Sequence, residues 1–172
     1  MSAANIFQLH LVSGYVVWAL CFGVYVVPWL RSMERAAAFR VLAALHSFRF
    51  FGLAFLVPGV VGPDLPARFA TFAAYGDLAT GVLAALALAA FRVRPVFLAL
   101  FVAFNAVGAA DLIVDYYHAI QSDLPARAGQ LGAMYAIPVL YVPALMISHL
   151  VAFYWLLGRR RERPASLVAG GA

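Results

Sequence analysis

Residues 95–121, PVFLALFVAFNAVGAADLIVDYYHAIQ, carry Asp111 and Asp115 as their only charged side chains. At 1.5 Å per residue, such a run wound as a helix crosses the roughly 30 Å of a bilayer's hydrocarbon, where only helices and closed barrels satisfy their own backbone. Four more runs of this kind can be drawn, at residues 5–30, 41–62, 66–91 and 126–158. The expectation is an all-α fold, a polytopic membrane helical bundle of five transmembrane helices. Residues 1–158 form the bundle and 159–172 a basic cytoplasmic tail. Composition agrees: 66% of the 172 residues are hydrophobic and 11% are charged, against about 25% charged in a soluble domain. The first run lacks a basic leading region and a small-residue cleavage site, so it reads as a retained helix rather than a signal peptide.

All 12 basic residues are arginine, and their placement gives an orientation. Arg31, Arg35 and Arg40 follow the first run, Arg92 and Arg94 join the third to the fourth, and Arg159, Arg160, Arg161 and Arg163 follow the fifth. The opposite ends carry only Arg68 and Arg127. An excess of arginine marks cytoplasmic loops, which puts the N-terminus outside and the C-terminus in the cytoplasm. The net charge of +5 is thereby explained by topology and anionic lipid head groups, and a nucleic-acid partner is not needed. A single cysteine, Cys21, excludes an intramolecular disulfide and a multi-cysteine metal site.

The pentapeptide DLPAR occurs at 64–68 and again at 123–127. Asp can cap a first turn and Pro is tolerated there, so both copies read as starts of membrane helices. The echo suggests two similarly oriented hairpins.

Polar groups inside the runs are the candidates for function, because an ionisable residue in hydrocarbon costs about 2.5–3.5 kcal/mol on insertion scales and is retained for a reason. ALHSFRFFG, residues 44–52, sets His46 and Arg49 on one helical face. Asp77 lies mid-run in AAYGDLATG. Asn105, Gly108, Asp111, Asp115 and His118 follow at spacings of three or four, forming one stripe. His149 falls in line with Tyr135, Pro138 and Val142 if the fifth run is one continuous helix. Counted inward from the short loop they share, Arg49 and Asp77 reach the same depth and are expected to pair.

The expected ligand- or ion-binding set is His46, Arg49, Asp77, Asn105, Asp111, Tyr135 and His149, with Arg49's surplus donors free for an anionic or carbonyl group of a ligand. The function this implies is a binding or transport site for a small lipophilic molecule, a quinone among them, with proton coupling through histidines that titrate near neutrality. Haem b is the alternative: His46 with His149, and His10 with His118, would supply two axial pairs. An accessory structural subunit is a further alternative. No H-E-x-x-H, no G-x-S-x-G and no histidine-rich box is present, so no catalytic residue is assigned.

FRFFGLAFLVPGVVG, with Arg49, Gly52, Phe55, Leu56 and Gly59, followed by AAYGDLATGVLAALALAAFRVR with Gly76 and Gly81, resembles the core hairpin of the DoxX-like family. The chain departs from that pattern: Val60, Val61, Gly62 and Pro63 stand where the family often has a lysine, and DoxX-like proteins usually cross four times. The resemblance implies a compact bundle in a bacterial inner membrane, with a role sometimes tied to quinone-linked redox. It supplies no catalytic residue.

Overall fold

The computed structural model describes residues 1–158; the tail expected at 159–172 lies outside the described residues. Five helices are long and apolar enough to cross a membrane: α1 (Ala3–Arg31), α2 (Arg35–Leu56), α3 (Ala67–Ala89), α4 (Arg94–Gln121) and α5 (Ile137–Leu157). No strand forms among the described residues. The described residues are all-helical, with the helix lengths and composition of a multipass membrane protein.

Local chemistry explains where the elements begin. The Ser2 hydroxyl accepts the Asn5 N–H at 3.2 Å and caps α1. Pro95 sits in the first turn of α4, where its missing N–H costs nothing. The two DLPAR copies behave differently from each other, and only the first starts a membrane helix as expected. In the first, α3 starts after Pro66 and no side chain caps it. In the second, Asp123 is left-handed (φ 49°, ψ 46°) and opens a 3-10 segment, Leu124–Tyr135, rather than a membrane helix. The run 126–158 is therefore not one helix, and the second run ends at Leu56 instead of 62.

The last nine residues of α2, Phe48–Leu56, wind as a 3-10 helix. With three residues per turn, positions i and i+3 eclipse. Arg49, Gly52 and Phe55 consequently share the buried face, while Phe48, Phe50 and Phe51 point outward to lipid.

Helix α3 packs against α2 and α4, and α5 packs against α2, α4 and α1. Helices α2–α5 thus form the bundle, and α1 lies outside it on α5 and the 3-10 segment. Backbone chemistry in α5 fixes that docking. Pro143 has no N–H to give Val139, four residues before it, and α5 opens there with a π-turn, Ile137–Tyr141. Helix α1 makes its approach at Gly14, where a Cβ would collide with the Val139 carbonyl oxygen. The Trp18 indole N–H donates to the next carbonyl, Leu140, at 2.8 Å. The Val139 carbonyl, which Pro143 leaves free, and the Leu140 carbonyl after it thus both face the neighbouring helix.

Two apolar cores fill the bundle. One, built around Phe39, Phe97, Phe101 and Phe104, lies at the end bearing Arg35 and Arg94; Phe39 and Phe101 stack at 4.2 Å. The other, built around Phe7, Phe55, Phe69 and Leu131, lies at the end of the long loops. Those loops are tied to each other: the Gly62 N–H donates to the Gln130 carbonyl at 2.8 Å and the Ala133 N–H to the Val60 carbonyl at 3.0 Å. Gly132, at φ 52° and ψ −128°, takes a backbone conformation that residues with side chains avoid, and its backbone lies against Val60. The result is a cap over that end.

Candidate functional site

Between the two apolar cores lies a layer of buried polar side chains. His46, Arg49, Thr80, Asn105, Ser148 and His149 have no exposed surface, and Asp77 and Asp111 retain 7% and 6%. Arg49 is its centre. Its Nε donates to Asp77 Oδ1 at 2.6 Å, its Nη2 pairs with Asp111 Oδ2, and its Nη1 donates to the Gly108 carbonyl at 3.3 Å. The expected Arg49–Asp77 pair forms, and a second carboxylate joins it from α4. Three of the five guanidinium N–H donors are thereby used inside the protein, one on each nitrogen.

Two glycines make room for this centre. A Cβ on Gly108 would lie 2.6 Å from Arg49 Nη1 and 2.8 Å from His149 Nε2. A Cβ on Gly52 would lie 2.7 Å from the Asp77 carboxyl carbon. Arg49 reaches α4, and α3 reaches α2, only because these positions lack a side chain.

On the far side of Arg49, hydrogen-bond directions assign the histidines. The Ser148 hydroxyl gives its single proton to the Leu145 carbonyl at 2.7 Å, so it accepts from His46 Nε2–H at 2.9 Å. The Asn105 amide donates to the Phe101 carbonyl at 2.8 Å, so its oxygen accepts from His149 Nδ1–H at 2.9 Å. His46 Nδ1 and His149 Nε2 are left without partners. The two rings lie in direct contact, tilted by 31° with 4.1 Å between centroids. A bis-histidine haem needs its macrocycle and iron between the two rings, and this contact leaves no gap. Nor do His10 and His118 form an axial pair: His10 bonds the Tyr135 hydroxyl at 3.0 Å, and His118 packs on Phe72 and Tyr117. Haem does not fit the residues as placed.

On the near side of Arg49 lies a cavity of about 100 Å³, several times the space a water molecule needs. All five helices and the 3-10 segment wall it, through Phe7, Phe55, Phe69, Leu112, Pro138 and Leu124. Its polar lining is Asp77, Asp115 and Tyr116. The Tyr116 hydroxyl is already bonded to that of Tyr15 at 2.7 Å, whereas Asp115 Oδ1 and Asp111 Oδ1 have no partner. Asp111 also floors a separate, open crevice of about 870 Å³ between α3 and α4, with Gly76 beside it and Arg68 among its lining residues.

Residues 6–157 match the family described as Domain of unknown function (DUF8737). The chain belongs to this family. The matched region includes all the polar-layer residues and the cavity wall, so the site is part of the family domain rather than an appendage. No curated protein and no solved structure matches the chain.

Of the residues expected from sequence, His46, Arg49, Asp77, Asn105, Asp111 and His149 come together in the layer. Tyr135 does not. It belongs to the 3-10 segment and contacts His10 and Phe7, because the π-turn after it breaks the 3.6-residue register that would have aligned it with His149. Sequence reasoning missed Ser148, Thr80 and the close-approach role of Gly108. Ser148 was visible only as the neighbour of His149. Asp115 stood in the α4 stripe, one turn from Asp111, and that spacing was its signal.

Proposed function

We propose that this protein is a multipass protein of a bacterial cytoplasmic membrane, N-terminus outside and C-terminus inside, whose bundle binds a small lipophilic molecule in the cavity beside Arg49. Arginine placement supports the orientation, and the resemblance of the α2–α3 hairpin to DoxX-like proteins supports the bacterial membrane. The observation that carries the binding function is the cavity itself. An ion-pair lock between helices requires no space, and cores normally close over voids because every missing contact is a loss. Here apolar walls from all five helices end on two carboxylates, which is how ligand sites are built: mostly apolar, with a few polar groups that orient the guest.

Ala119 lines the cavity and is only partly buried, so Ala119→Phe fills the space at modest cost to the core. Thermal unfolding in lipid nanodiscs against a series of short aryl and alkyl amphiphiles tests the reading. Members of the series should raise the melting temperature of the wild type and leave Ala119→Phe unmoved. Equal shifts in both proteins, or none in the wild type, defeat it.

A further inference from the structure

The geometry points to a ligand that carries a cationic, hydrogen-donating head, an ammonium on a short apolar body. This rests on the cavity's being a binding site and adds which chemistry it accepts.

The polar wall offers acceptors. Asp77 and Asp115 present carboxylates, and Tyr116 is held by Tyr15. Arg49 does not line the cavity and has no exposed surface. A guest therefore meets carboxylate oxygen and never the guanidinium. Charge points the same way. Among the described residues of this layer and cavity, Asp77, Asp111 and Asp115 are three carboxylates beside one guanidinium, and of the two that line the cavity, Asp77 and Asp115, Asp115 has an oxygen, Oδ1, with no donor.

An orphan buried acceptor costs the full desolvation of that group. A guest with N–H donors and a positive charge relieves it, and a carbonyl or carboxylate guest worsens it. Quinones and fatty acids are thus poor fits, and amines good ones. The rings of Phe55 and Phe69, 5.7 Å apart, edge to face and both lining the cavity, add surface on which an aryl or alkyl body packs.

Three probes share one body and differ in head: 2-phenylethylamine (cationic at neutral pH), propylbenzene (neutral) and 3-phenylpropanoate (anionic). Binding is measured by calorimetric titration into nanodiscs holding the full chain, with empty nanodiscs subtracting partition into lipid. The amine should bind about tenfold or more tighter than propylbenzene, the gain expected from a charged hydrogen bond, and the anion should not bind. Asp115→Asn, which keeps size and shape, should remove the amine's advantage while propylbenzene binds as before. If propylbenzene binds as well as the amine, or Asp115→Asn leaves the preference intact, the cationic head is wrong and the cavity stands. If no probe binds and Ala119→Phe titrates like the wild type, the cavity reading falls as well.

Discussion

Arg49 holds two carboxylates from two different helices, so its removal orphans both. Breaking a buried ion pair from one side costs about 3–5 kcal/mol, and Arg49→Ala should lose at least that in denaturant unfolding of the detergent-solubilised protein. Adding Asp77→Asn alone should recover part of the loss, and adding Asp111→Asn as well should recover more. If the second addition recovers nothing, Asp111 is not held by Arg49. Gly108→Ala places a methyl group against Arg49 Nη1, Thr80 and His149, and overpacking of this kind costs about 1–3 kcal/mol. The same substitution at Gly23, where a Cβ meets nothing, should be neutral by the same measurement. Half of this centre was legible in the sequence. Arg49 and Asp77 flank one short loop, so depth could be counted for both, and an unpaired charge in hydrocarbon is too costly to leave. Gly108 was not legible, because a glycine in an apolar run carries no sign of which side chain passes over it. The two histidines were legible as a pair by depth, but not the ring contact that decides against haem.

Elements were legible where they are regular and misread where they are not. Five runs gave five helices, since length and apolarity alone select them. The errors fall at Phe48–Leu56 and Leu124–Tyr141, where the backbone leaves the 3.6-residue repeat and a face extrapolated along the chain turns away, as it did for Tyr135. Nine residues of 3-10 helix are more than the usual three or four, and the segment carries Arg49. The π-turn of α5 carries the dock for α1. Gly14→Leu should push α1 off α5 at Val139. A short bifunctional cross-linker between cysteines placed at His10 and Tyr135, in a Cys21→Ser background, should then fail to join them. The melting temperature should fall less than for Arg49→Ala, because α1 buries little of itself. Retained cross-linking would show that the Gly14 contact does not position α1.

The whole molecule is two apolar cores with a charged layer between them, and a cavity on one side of that layer. The cavity was invisible in the sequence because it belongs to no element: five helices and the loop cap each contribute a wall residue, and none is unusual where it stands in the chain. Orientation can be checked directly. A reporter inserted in the turn at 90–93 should read as cytoplasmic, and one in the loop at 57–65 as external; the reverse would invert the protein. The Arg49 centre also sets an order of events during synthesis. Arg49 precedes Asp77 by 28 positions and Asp111 by 62. At roughly 5–20 residues per second, about 3 to 12 s pass between the arginine and its second partner. Through that interval α2 carries a charge that lipid disfavours by about 2.5–3.5 kcal/mol, so it has reason to stay beside the insertion machinery until α3 and then α4 arrive. A ribosome-stalled chain ending after α2 should insert poorly, one ending after α3 better, and one ending after α4 fully, which makes the helical hairpins of this bundle successive commitments to the membrane.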